Sequence, residues 1–109
     1  MRKTESSLPR RLSPEKVRVF AFMIWQNRPS VAADVSMRAS KIMQTAYEKR
    51  PIFFGGKSGK RLLSGLFYHL GPNIDNVKTQ KEIARALGTN EVTIRASCQD
   101  WLDSFPEFF

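Results

Sequence analysis

Residues 79–95, TQKEIARALGTNEVTIR, restrict what this chain can fold into more tightly than any other stretch. Thr79-Gln80-Lys81-Glu82 has capping-box spacing: the Thr79 hydroxyl accepts from the amide three residues on, and Glu82 reaches back to the Thr79 amide. The helix opened there runs to Gly88, the residue type most at ease at positive φ. Asn90 then offers a second N-cap, opening a helix that runs to about Ser104. Ala84 is the small residue that two crossing helices need, and Ile83, Leu87 and Ile94 supply the apolar contacts. The pattern is that of a helix-turn-helix, which presents the first residues of its second helix to the DNA major groove. A plain corner of two packed helices also uses Ala and Gly in such places, so both readings stay open on the motif alone.

Upstream, three more helices are predicted. Ser13 is an N-cap, Pro14 suits the first helical position and Glu15 favours the positive helix end. Val17, Phe20, Ala21 and Ile24 follow at helical spacing, and Val19, Phe22 and Met23 make the other face apolar, which points to a central core helix ended by Pro29. A second helix runs from Ser30 or Asp34 to Lys49. Its stripe is Val35, Ala39, Ile42, Met43 and Ala46; Arg38, Lys41 and Lys49 lie opposite. Residues 51–57, PIFFGGK, read as an apolar loop. A third helix spans Ser58 to Leu70 on Leu62, Leu63, Leu66, Phe67 and Leu70, with Gly71-Pro72 as its stop. Ser64 and Gly65 leave its middle slim. Ile94, Trp101, Leu102 and Phe105 are the expected core residues of the last helix, which Pro106 closes. Residues 1–12 show no apolar periodicity and read as a flexible basic arm or linker. The expected fold class is all-α, a single five-helix domain over residues 13–109 whose last two helices form the helix-turn-helix.

Charge points to a polyanionic partner. The net charge is +8. Residues 28–61 carry eight Lys or Arg against Asp34 and Glu48, whereas residues 96–109 carry only Asp100, Asp103 and Glu107. Such asymmetry implies one face turned toward phosphate and a C-terminus held away from it. No apolar run approaches the roughly 20 residues needed to span a bilayer, and no signal-peptide pattern opens the chain. Cys98 is the single cysteine, and no Cys/His cluster has zinc-ligand spacing. Neither a metal nor a cofactor is expected, and an intracellular setting is.

Base contacts are expected from the first turns of the last helix. Arg95 can donate a bidentate pair to guanine, Val92 can pack on a thymine methyl, Glu91 can accept from a cytosine amine, and Thr93 lies close by. Phosphate contacts are expected from Gln80 and Lys81 at one helix N-terminus, Lys57, Ser58 and Lys60 at another, and Asn90 at the turn. Lys57-Ser58 after two glycines lacks P-loop spacing and a preceding strand, which excludes nucleotide hydrolysis on that motif. His69 is the sole histidine, the carboxylates are scattered, and no catalytic constellation assembles, so no enzyme activity is expected. A second function class is a protein-interaction module: Phe53, Phe54, Phe105, Phe108 and Phe109 either form an apolar patch or cover the ends of the core.

The segments GKSGKRLLSGLFYHLG and KTQKEIARALGTNEVTIRASCQDWLDSFPEF, with VSMRASKIMQTAYEKR upstream, resemble the second cyclin-like repeat of the transcription factor B (TFIIB) family. The likeness covers most of residues 14–105 and is strongest over 56–97. It implies a five-helix cyclin-like fold whose helix-turn-helix reads the B recognition element beside the TATA box. It further implies promoter DNA as partner, with TATA-binding protein and RNA polymerase engaged through a full-length factor. A monomer is expected, located in the cytoplasm or nucleoid if archaeal and in the nucleus if eukaryotic. The family's base-reading valine and arginine match Val92 and Arg95, and its phosphate-side basic residue matches Lys57. Thr89 stands where the family's turn is usually aliphatic, and WQNRPS (residues 25–30) departs from its pattern. With neither the family's zinc ribbon nor a first cyclin-like repeat in these residues, the expectation is either a segment of a longer factor or a stand-alone helix-turn-helix regulator.

Overall fold

Leu62, Leu63, Ser64, Gly65, Leu66 and Phe67 are six consecutive buried residues. A helix with no polar face along such a run must be surrounded by others. The structure, a computed structural model, describes residues 8–74 and 77–109. Its described residues hold five helices and no strand: α1 (Pro14–Ile24), α2 (Pro29–Lys49), α3 (Gly59–Leu70), α4 (Gln80–Leu87) and α5 (Glu91–Ser104), with 3-10 turns before α1, between α2 and α3, between α3 and α4, and after α5. Helix α3 touches all four others, and α5 most extensively. This five-helix, all-α architecture agrees with the fold class expected from the sequence.

The close approach of α3 and α5 follows from small side chains. A Cβ on Gly65 would sit 2.7 Å from the Cys98 amide nitrogen and 2.7 Å from Ser97 Cβ. The same approach lets the buried Trp101 indole donate from Nε1 to the Leu62 carbonyl at 2.9 Å, while Ser97 Oγ donates to that oxygen at 3.4 Å. Arg61 donates to Asp100 at 2.7 Å on the same seam. At the far end, Phe53 packs 4.9 Å from Trp101 and 5.1 Å from Phe105, ring centre to ring centre.

Several expectations are corrected. Helix α1 is not the central helix: Val17, Ala21 and Ile24 are buried, but Val19 is 54% and Met23 41% exposed. Its apolar outer face misled the periodicity argument, and α3 takes the centre. Pro29 does not end the first helix. That helix stops at Ile24, with the Trp25 amide donating to Ala21 O, and Pro29 is the first residue of α2. A proline lacks the N–H that a first helical position does not need, so it starts a helix as readily as it stops one. Trp25 fills the junction, edge-on to Phe67 at 5.9 Å.

The domain also begins earlier than residue 13. Arg10–Leu12 form a 3-10 turn that buries Leu12 completely, and Leu8 packs against the core. Residues 1–7, the rest of the expected arm, lie outside the described residues. Pro51–Phe54 is a 3-10 turn rather than a loop, and it buries Phe53 and Phe54. Those rings and Phe105 therefore belong to the core and not to a surface patch; Phe108 is half-buried and Phe109 exposed. Leu102, expected inside, is exposed. Gly71 keeps right-handed dihedrals (φ −49°, ψ −52°), so α3 tightens into the 3-10 turn Gly71–Ile74 instead of ending on a left-handed glycine.

The acidic C-terminus is tied down. Lys49 and Arg50 donate to Glu107 at 3.0 and 3.2 Å. Its own backbone amide, then Lys49, lowers the Glu107 carboxyl to about 2 from an ordinary 4.5. A depressed carboxyl contributes stability above its unfolded pKa and loses it as pH falls through the folded one. Urea midpoints of Glu107→Gln should therefore lie below wild type at pH 7, with the gap closing between about pH 4.5 and 2.

Gly65→Ala tests the α3–α5 seam. Alanine gains about 1 kcal/mol of helix propensity, but overpacking costs about 1–3 kcal/mol and is worst where the obstructing atom is backbone. The net expectation is a lower urea midpoint; an unchanged or higher one would show that the helices can separate freely.

Candidate nucleic-acid interface

The capping box forms as its spacing requires. Thr79 Oγ1 accepts from the Glu82 amide at 3.0 Å, and the Thr79 amide donates to Glu82 Oε1 at 2.8 Å. That backbone hydrogen bond is the main reason the Glu82 carboxyl lies below its usual range. Helix α4 ends on Gly88 in the left-handed region (φ 69°, ψ 39°), and the Gly88 and Thr89 amides both donate to Ala84 O. Asn90 Oδ1 accepts from the Thr93 amide at 2.8 Å and opens α5. Ile83, Ala84, Leu87 and Ile94 are buried between the two helices and the core. The result is a helix-turn-helix arrangement with only residues 88–90 between its helices.

This packing leaves one face of the first two turns of α5 outward, opposite the buried Ile94 and Ser97. Val92 is 66% exposed, and the Arg95 side chain is 57% exposed. Glu91 is exposed and Thr93 half-buried. Arg95 Nη1 donates to Gln80 Oε1 at 3.3 Å and lies 4.0 Å from Glu91 Oε1. Gln80, Glu91, Val92 and Arg95 thus share one surface. Lys81 is exposed on α4 beside it. Lys60, exposed on α3, reaches the turn from the other side: a Cβ on Gly88 would lie 3.9 Å from its Nζ. Lys60 and Lys81 make no ion pair among the described residues.

Other expected contacts already have partners. Lys57 Nζ donates to Phe53 O at 2.8 Å and lies 4.9 Å over the Phe53 ring. Ser58 Oγ accepts from the Arg61 amide at 3.0 Å as the cap of α3. Asn90 Oδ1 is taken by its own cap. A phosphate would reach these side chains only through their remaining donors. Arg85 is absent from the sequence-derived set, yet it is exposed on α4 without an ion pair among the described residues. Its spacing of four from Lys81 puts both cations on one helix face, which is the signal that finds it.

Nucleophilic chemistry gains no support from the neighbouring groups. Burial pushes the Cys98 thiol up to about 11, so it is a thiol at neutral pH. The His69 ring nitrogen lies 3.4 Å from the Cys98 carbonyl oxygen. Among the described residues, no group of three or more His, Cys, Asp or Glu can hold a metal ion, and no helix is long and apolar enough to cross a membrane. Outside α2 runs an open groove lined by Met37, Lys41, Ile42, Leu70 and Phe108.

Comparison with protein-family models, with curated proteins and with solved structures finds no match to this chain.

The turn itself can be tested. An L side chain at the Gly88 dihedrals costs about 1–2 kcal/mol, less for asparagine. No atom crowds the position closer than Lys60 Nζ at 3.9 Å, so the cost is conformational. Gly88→Ala should lower the urea midpoint and Gly88→Asn should lower it less; the reverse order would contradict the left-handed turn.

Proposed function

We propose that this chain is a sequence-specific double-stranded DNA-binding domain that reads the major groove with the start of α5. The observation that carries this is the exposure of Val92 and Arg95 on one surface, at the tip of a capped, glycine-turned helix pair flanked by Lys60 and Lys81. An apolar side chain two-thirds in solvent has no part in the core. Beside an arginine on a helix N-terminus, it suits a groove with thymine methyls and guanine acceptors. The cations suit the backbone phosphates, which position the protein without reading sequence.

The resemblance of residues 14–105 to the second cyclin-like repeat of the transcription factor B family supports a narrower form. The domain would read a promoter element beside the TATA box. It would act in transcription initiation inside the cell, as a monomer, with TATA-binding protein and RNA polymerase engaged through a longer factor. The open groove along α2 favours a second reading, a protein-interaction module. Failure to bind duplex DNA at both low and moderate salt would favour that alternative.

Anisotropy titrations on a duplex selected from a randomised pool, and on its scrambled counterpart, test the proposal. Neutralising about four phosphates should give a slope of log K against log salt near −4. Arg95→Ala should cost about 1–3 kcal/mol of discrimination. Lys81→Ala should weaken both duplexes alike and reduce the slope by about 1. Equal losses on both duplexes for Arg95→Ala would remove it from base reading.

A further inference from the structure

We propose that Gln80 is a specificity-determining positioning residue, whose side-chain oxygen holds the Arg95 guanidinium in the orientation α5 presents to a base edge. This rests on the DNA-binding reading above and deepens it: Gln80 changes from a phosphate contact into a group that acts through Arg95.

Gln80 is the first residue of α4, and Arg95 lies on the second turn of α5, fifteen residues on. The two helices are set against each other by Ile83, Leu87 and Ile94 and by the Gly88 turn, so the relation between the two Cα positions is fixed by the core. Across that gap Arg95 Nη1 donates to Gln80 Oε1 at 3.3 Å, with Glu91 Oε1 at 4.0 Å from the same nitrogen. The opposite amide orientation would set two donors against each other, so Oε1 faces the arginine and Nε2 faces away.

An arginine side chain in solvent samples many rotamers, and a bidentate contact to guanine needs its plane aligned with the base edge. An acceptor on the neighbouring helix removes part of that freedom before DNA arrives. Only one of the five guanidinium N–H groups is used, which leaves enough for a bidentate pair. Gln80 is neutral, so it orients Arg95 without the charge that would hold it back from DNA. Glu91, the carboxylate one turn earlier, stands at the limit of ion-pair distance. The Gln80 Nε2 group remains as a donor for a phosphate, so the positioning role and the backbone contact are compatible. The hydrogen bond is not required to dock the helices, because buried aliphatic side chains already do so.

The test uses the full chain, a duplex selected from a randomised pool and its scrambled counterpart. Gln80→Met keeps the stem and removes the acceptor; Gln80→Glu keeps an acceptor oxygen and adds a charge. Gln80→Met should cut the matched-to-scrambled affinity ratio about fivefold, and should cut it no further when combined with Arg95→Ala. Gln80→Glu should retain the ratio while weakening binding to both duplexes, because the added carboxylate repels phosphate. In the free protein, 15N relaxation at Arg95 Nε should report greater mobility in Gln80→Met and not in Gln80→Glu. Suppose Gln80→Met weakens both duplexes equally and leaves Arg95 mobility unchanged, while Arg95→Ala still loses discrimination. Gln80 is then a phosphate contact alone, and the positioning role is overturned with DNA reading intact. Failure to select any preferred sequence, or equal losses for Arg95→Ala, overturns the DNA reading and this role with it.

Discussion

The contact between α3 and α5 over Gly65 and Ser97 sets the position of α5 on the core. A buried indole N–H without a partner costs about 1–3 kcal/mol. Trp101 finds its partner in the Leu62 carbonyl, and reaches it because nothing larger than a hydrogen occupies position 65. One missing side chain therefore permits both the close packing and the hydrogen bond that fixes the rotation of α5 about its axis. Helix α5 has fourteen residues, about 21 Å at 1.5 Å per residue. With its C-terminal half anchored on α3, its N-terminal half keeps Glu91, Val92 and Arg95 exposed. Ile94, buried at the other end, holds the second point of that line.

Net charge is a poor guide to where a polyanion would sit, and the ion pairs show why. Arg38 pairs with Asp34, Arg61 with Asp100, and Lys49 and Arg50 share Glu107. The acidic C-terminal residues thus offset the basic residues around the end of α2 and the start of α3. Lys60, Lys81 and Arg85 have no such partner among the described residues. At physiological salt the Debye length is about 8 Å, so a bound phosphate responds to cations near it and little to the total of +8. Lys16, Arg28 and Lys41 also make no ion pair among the described residues, so cations without one are not confined to the Gly88 turn; Lys60 is the one that reaches that turn.

Signals that act within four residues were legible in the sequence. Ser13, the Thr79–Glu82 box, Gly88 and Asn90 all perform the backbone roles their types prescribe, because a cap or a left-handed turn is decided by its own residue and the amides next to it. Signals that depend on distant partners were not. Pro29 has one chemistry but two uses, and only the burial of Trp25 at the junction decides between them. Leu12 is one apolar residue in a basic stretch, with no period to reveal that it is buried. The apolar outer face of α1 looked like core because hydropathy does not record which helix occupies the centre. Nothing local indicates that the Lys57 amine will fold onto Phe53. The Gln80–Arg95 contact spans two helices and is invisible to any single-helix pattern.

Sorting the residues of α5 by what packing asks of them leaves Val92 and Arg95 exposed at its start, as it leaves Gln99, Leu102 and Asp103 exposed further on. Ile94, Ser97 and Trp101 are buried, Asp100 holds Arg61, and Asn90 and Thr93 make the cap. Val92 contributes no burial and, as a β-branched residue, disfavours helix slightly. Arg95 gains only exposed contacts, which are worth little to stability. A chain selected for stability alone would place alanine or glutamate at both positions at no cost to the core. Val92 and Arg95 lie one turn apart on the same exposed face, next to the Asn90 cap and the Gly88 turn.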